Sequence, residues 1–84
     1  MRAMKIHNLK IQSDYASAKL NGIKPFEIRQ NDRDFKVGDL VRYNCIDDVN
    51  LNNKIRDKTY QIVYITSYEQ KNGYVVFTDK EVEE

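Results

Sequence analysis

At 84 residues, 40% of them hydrophobic and with a net charge of +1, the chain is long enough for one self-supporting core and too apolar to stay disordered. A single cysteine excludes an intramolecular disulfide, and a single histidine excludes the Cys/His set of a structural zinc site. No run approaches the roughly 18 apolar residues of a membrane span, and "MRAMKIHNLK" lacks the apolar stretch of a signal peptide. The expectation is one soluble, cytoplasmic domain over residues 1–84 with no metal, cofactor or membrane partner.

In chain order, "MKIHNLKI" (4–11) reads as a strand, with His7, Leu9 and Ile11 on one face. "SDYASAKLNG" reads as one short helix near residues 13–21. Ser13 or Asp14 can cap it, since a short side-chain oxygen accepts a free first-turn N–H, and Gly22 suits the left-handed position past its end. Tyr15, Ala18 and Leu20 are the expected inward residues. Pro25 fixes its own φ and extends Lys24, so "KPFEIR" begins a strand. "QNDRDFKVGD" is turn-rich, with a tight turn expected at Val37-Gly38-Asp39. "LVRYNCI" alternates, placing Val41, Tyr43 and Cys45 inward against Arg42 and Asn44.

A polar loop is expected from about Asp47 to Asp57. "TYQIVYITSY" (59–68) is apolar on both faces, as a central strand should be. Asn72-Gly73 is a strong hairpin signal leading into "YVVFT" (74–78), and residues 79–84 read as a frayed acidic tail. The order points to an α+β, mainly β fold: a small, curved barrel of mixed strands with one short helix.

Charge is segregated along the chain. Residues 1–44 hold nine Lys/Arg against five Asp/Glu, and residues 45–84 hold five against eight. The basic half suits an anionic partner. Within it, Arg29 offers a planar fork for a phosphate or base edge, Lys24 a flexible point charge, and Glu27 an acceptor that can order either cation. Strand parity puts Glu27 and Arg29 on one face and Phe26 and Ile28 on the other, so the charged pair is expected to project away from the core. Lys24 has the opposite parity and joins the pair only if the chain bends at Pro25. The alternative is an ion-pair network of Glu27 and Arg29 that closes the barrel, with Asn31-Asp32-Arg33-Asp34 as a self-satisfied polar turn. Lys10 and Lys36 also read as surface lysines, and His7 as a structural histidine.

Gly22-x-Lys24-x-x-Glu27-x-Arg29 matches the G-x-K-x-x-E-x-R motif of the ASCH domain (activating signal cointegrator homology) in the PUA-like superfamily. More narrowly, "HNLKI", "GIKPFEIRQNDRDFKVGD" and "VYI" resemble a small, uncharacterised bacterial and phage subfamily of that domain, over roughly residues 7–77. The resemblance implies a compact β-barrel and an RNA- or nucleotide-binding cleft beside the motif. On this reading Lys24, Glu27 and Arg29 make the first contacts, supported by His7, Lys10, Asn31 and Arg33. Some ASCH domains hydrolyse acylated cytidine with a lysine, a threonine three residues later and a distant glutamate. Lys24 matches that lysine, but Glu27 replaces the threonine, so catalysis is not expected. Two alternatives stand beside RNA binding: a hydrolase of a modified nucleoside or RNA using Lys24 and Glu27, and a protein-interaction accessory protein whose cleft is vestigial.

Overall fold

The computed structural model describes residues 4–23 and 26–83. Five strands and two short helices alternate as β1 (Ile6–Ile11), α1 (Ser13–Leu20), β2 (Phe26–Gln30), β3 (Leu40–Cys45), α2 (Val49–Ile55), β4 (Thr59–Thr66) and β5 (Tyr74–Val82). The strands form one sheet in the order β1-β3-β4-β5-β2, with β1 and β3 parallel and the other pairs antiparallel. The sheet curls into a half-barrel, an α+β, mainly β fold as expected. Its two edge strands, β1 and β2, are close enough for Arg29 of β2 to donate from Nη2 to the Lys10 carbonyl of β1 at 3.0 Å.

Alternation builds the interior. His7, Leu9 and Ile11 of β1 point inward beside Val41, Tyr43 and Cys45 of β3, Tyr60 and Ile62 of β4, and Val75 and Phe77 of β5. A bulge between Ile62 and Tyr64 lets β4 take an extra residue without losing its pairing to β5. Phe35, from the turn-rich segment, plugs one side of this core, its ring 4.7 Å from His7 and 5.1 Å from Phe77. Helix α1 ends in a left-handed Gly22 (φ +72°), with Gly22 N–H donating to Lys19 O and Ile23 N–H to Ala18 O. That double bond pattern satisfies the last carbonyls of the helix.

Four expectations are corrected. Of the residues of α1 expected to turn inward, Leu20 packs half-buried against the core and Tyr15 is exposed, while the buried residues of the helix are Ala16 and Lys19. Residues 47–57 are not all loop, because α2 occupies 49–55. Asp48 caps this helix by accepting from Leu51 N–H at 3.0 Å, and Leu51 and Ile55, one turn apart, supply its packed face. Its three asparagines favour non-helical backbone, which hid it. Strand β4 stops at Thr66, so Asn72-Gly73 turns the chain at the end of a longer connection rather than as a two-residue loop. Finally, β5 runs through Val82, and Asp79, read as part of a frayed tail, is buried.

Asp47, two residues past β3, bonds back to the start of α1. Its carboxylate accepts from Ser13 N–H at 2.8 Å and from Ser13 Oγ–H at 2.9 Å. The Ser13 hydroxyl bond is the largest influence holding the Asp47 carboxyl below its ordinary value of 3.8. A carboxyl with a lowered folded pKa stabilises the fold above its unfolded pKa, and that contribution is lost as pH falls through the folded value. The stability difference between wild type and Asp47→Asn, measured by urea denaturation, should therefore be constant near neutral pH and shrink as pH falls below about 4. A difference unchanged down to strongly acid pH would show that the charge of Asp47 contributes nothing.

Candidate functional site

The β2–β5 register determines what enters the barrel. Glu27 lies opposite Phe77 and Arg29 opposite Val75, and residues directly opposite in an antiparallel pair share a face. Phe77 and Val75 face the core, so Glu27 and Arg29 do too. The expected parity holds, but its direction is reversed: Glu27 is 3% exposed, whereas Phe26 and Ile28 are 43% and 56% exposed. Rather than projecting away from the core, Glu27 is the innermost charge on β2.

Four charges and a phenol form one chain of contacts across the interior. Arg29 Nη2 lies 3.2 Å from Glu27 Oε1, and Glu27 Oε2 is 3.3 Å from Lys19 Nζ. Lys19 Nζ is 2.7 Å from Asp79 Oδ1, and Tyr43 donates its hydroxyl to Asp79 Oδ2 at 2.5 Å. The Lys19 ammonium also sits 4.9 Å and 5.1 Å from the ring centres of Tyr43 and Tyr60, where the negative faces of the rings attract it. Among the described residues two cations balance two anions, the condition under which buried charge is tolerated, since each unpaired ion costs several kcal/mol. Burial, followed by the Glu27 and Asp79 carboxylates, pushes the Tyr43 hydroxyl far above its ordinary range. Burial likewise pushes Tyr60 up to about 12. Both phenols stay protonated near neutral pH, and Tyr43 serves as a donor, not as a base or nucleophile.

Arg29 carries this interior chain to the surface. Among the charged side chains of the network it is the most open, at 25% exposure. The parallel ladder uses Lys5 and Ile11 carbonyls as acceptors toward β3. Alternation then turns the Lys10 carbonyl toward the open edge, where Arg29 meets it. Above this contact lies a pocket of about 530 Å³ between the two edge strands, with Glu27 and Arg29 in its wall. Tyr15, Phe26, Ile28 and Ile46, all exposed and apolar, also line it. A second pocket of about 350 Å³ adjoins it, lined by Asn8, Lys10, Arg29, Gln30, Asp32 and Arg33 among others. Lys10 and Arg29 belong to both.

The residues singled out in the sequence thus divide. Glu27, Arg29 and Lys10 come together, and Arg33 joins them through the second pocket. Asn31 holds its own turn, its side chain accepting from Phe35 N–H at 2.9 Å and its N–H donating to Gly73 O. His7 lines neither pocket. It is buried, with Nε2 2.8 Å from Asp39 Oδ2, in a separate polar cluster under Phe35. Lys24 lies outside the described residues.

Lys19, Tyr43, Tyr60 and Asp79 were missed as partners of Glu27 and Arg29. Asp79 had a visible signal, because it continues the inward alternation of Val75 and Phe77. Lys19 follows Ala16 by three residues, a spacing that shares a helix face, but its charge argued for solvent. Among the described residues no three His, Cys, Asp or Glu side chains are grouped to hold a metal ion. Nor is any described helix long and apolar enough to cross a membrane.

Chemically, the site is a seam that sets Lys10, Arg29 and Arg33 beside Glu27 and Asp32, with an apolar rim. Among the described residues both Arg29 hydrogen bonds are made through Nη2, which leaves Nε–H and Nη1–H without a described partner. Burial raises the Cys45 thiol above its ordinary value, which keeps it protonated and unreactive. A comparison with curated proteins finds no match. The family model described as "Domain of unknown function (DUF3850)" matches residues 6–78, which include both edge strands and the interior charges except Asp79, and the chain belongs to that family.

Proposed function

We propose that this protein is an ASCH-like member of the PUA-like superfamily that binds RNA or nucleotides in the seam between β1 and β2, in the cytoplasm. The observation that carries this reading is the wall of the larger pocket, where a half-open Arg29 guanidinium stands beside exposed Tyr15 and Phe26. The guanidinium suits a phosphate or a base edge, and the aromatic rings suit the face of a base. Lys10 and Arg33 extend the positive wall into the adjoining pocket.

Fluorescence anisotropy with a single-stranded RNA at several salt concentrations tests it. If Lys10, Arg29 and Arg33 each meet a phosphate, log K should fall with log salt at a slope near −2. The uncharged outer row of exposed Phe26, half-buried Thr78 and exposed Tyr64 favours a second reading, a protein-interaction surface. No RNA binding even at low salt would support that reading against the first.

Hydrolysis is not part of the proposal. Among the described residues no Ser, Thr or Cys lines the larger pocket, and Tyr43 and Tyr60 are held in their neutral forms. N4-acylated cytidines incubated with the protein should show no turnover by chromatography. Release of the acyl group, abolished by Glu27→Gln, would establish the enzyme reading instead.

A further inference from the structure

The two adjoining pockets differ in chemistry. The larger has Lys10, Glu27 and Arg29 along its floor, and its remaining wall is mainly apolar, with Tyr15, Phe26, Ile28 and Ile46. The smaller places Lys10, Arg29 and Arg33 against one carboxylate, Asp32. They meet at Arg29 and Lys10, whose 3.0 Å contact forms the divide. A ligand filling both must therefore carry a flat apolar part and, a short distance away, an anion. A nucleotide has this build, with a base and a phosphate separated by one sugar. Together the pockets fall in the size range of small-molecule sites.

Resting on the RNA- or nucleotide-binding reading, we infer that the seam takes one unpaired ribonucleotide, its base against Tyr15 and Phe26 and its phosphate on Lys10 and Arg33, with Arg29 between them. A base within a duplex cannot fill the larger pocket, because its faces are stacked on its neighbours and its pairing edge is occupied. The same chemistry can come from a free mononucleotide or from one nucleotide of a single strand. Arg33 is exposed on the turn, and Tyr15 is exposed on α1.

The test titrates the wild type, Tyr15→Ala and Arg33→Ala with four probes. These are the ribonucleoside 5′-monophosphates, the matching nucleosides, a single-stranded RNA octamer and a blunt RNA duplex. Tyr15→Ala should weaken monophosphates, nucleosides and the octamer alike, by roughly 5- to 150-fold, as loss of a base stack does. Arg33→Ala should weaken the monophosphates and the octamer at least about fivefold and leave the nucleosides unchanged, since it removes only a phosphate contact. The duplex should not compete with the octamer. Binding of the octamer with no measurable monophosphate binding, but the same response to both variants, identifies a strand-borne nucleotide as the source. If the octamer binds but the duplex competes equally, or Arg33→Ala weakens nucleosides as much as monophosphates, the divided site is wrong while RNA binding stands. If none of the probes binds at low salt, both readings fall.

Discussion

Lys19→Met is expected to destabilise the fold by about 3–5 kcal/mol, because it leaves the buried Asp79 carboxylate without a cation among the described residues. Lys19 is the common partner of Glu27 and Asp79, at 3.3 Å and 2.7 Å, and all three side chains are at most 4% exposed. Methionine keeps an unbranched, apolar chain of similar reach, so little packing is lost and the change isolates the charge. Small domains have total stabilities on the order of 5–15 kcal/mol, so much of the margin would disappear. Urea denaturation near neutral pH measures it, and a midpoint equal to wild type would show that the network is energetically idle. Adding Asp79→Asn to Lys19→Met should cost less than the sum of the two single changes, since the residues share one network. Strict additivity would contradict that coupling.

Arg29→Ala is expected to act on binding and on stability together. On binding, it removes the fork between the two pockets, and loss of one charged hydrogen bond is worth about 1.5–3 kcal/mol, more than tenfold in affinity. On stability, it breaks the Nη2 contacts to Glu27 and to the Lys10 carbonyl, the side-chain tie between the two edge strands. The guanidinium is partly exposed, so solvent screening keeps this second loss to roughly 1–2 kcal/mol. Arg29→Lys separates the roles. It retains a cation for Glu27 but not the planar fork, and should keep most of the stability while still binding weakly. If Arg29→Ala binds RNA or nucleotide like the wild type and only melts earlier, Arg29 serves to close the barrel and nothing more.

Most of the scaffold was legible before any coordinates. The inward set of β1 and β3 follows from period-two alternation, because consecutive side chains of a strand point to opposite faces. The end of α1 follows from Gly22, which adopts φ > 0 without the steric penalty of a Cβ. Helix α2 was less legible, since its capping Asp48 and its Leu51–Ile55 pair are embedded among asparagines that favour turns. Strand β5 was cut short because "DKEVEE" is charged, although its first aspartate keeps the phase of Val75 and Phe77.

At the candidate site, residue order alone establishes that Glu27 and Arg29 share a face, that Phe26 and Ile28 share the other, and that charge gathers beside this strand. Which face looks inward was decided only in the tertiary structure. Parity is a local property of covalent geometry, but direction depends on the partner strand, and a one-residue change of register would exchange the two faces. Here β5 sets Phe77 opposite Glu27 and Val75 opposite Arg29. The rule that apolar residues face the core presumes an interior without charges. Lys19, arriving from α1, and Arg29, on β2 itself, supply the counter-charges that make an inward Glu27 tolerable. Phe26 and Ile28 are thereby left outside, where they line the open seam.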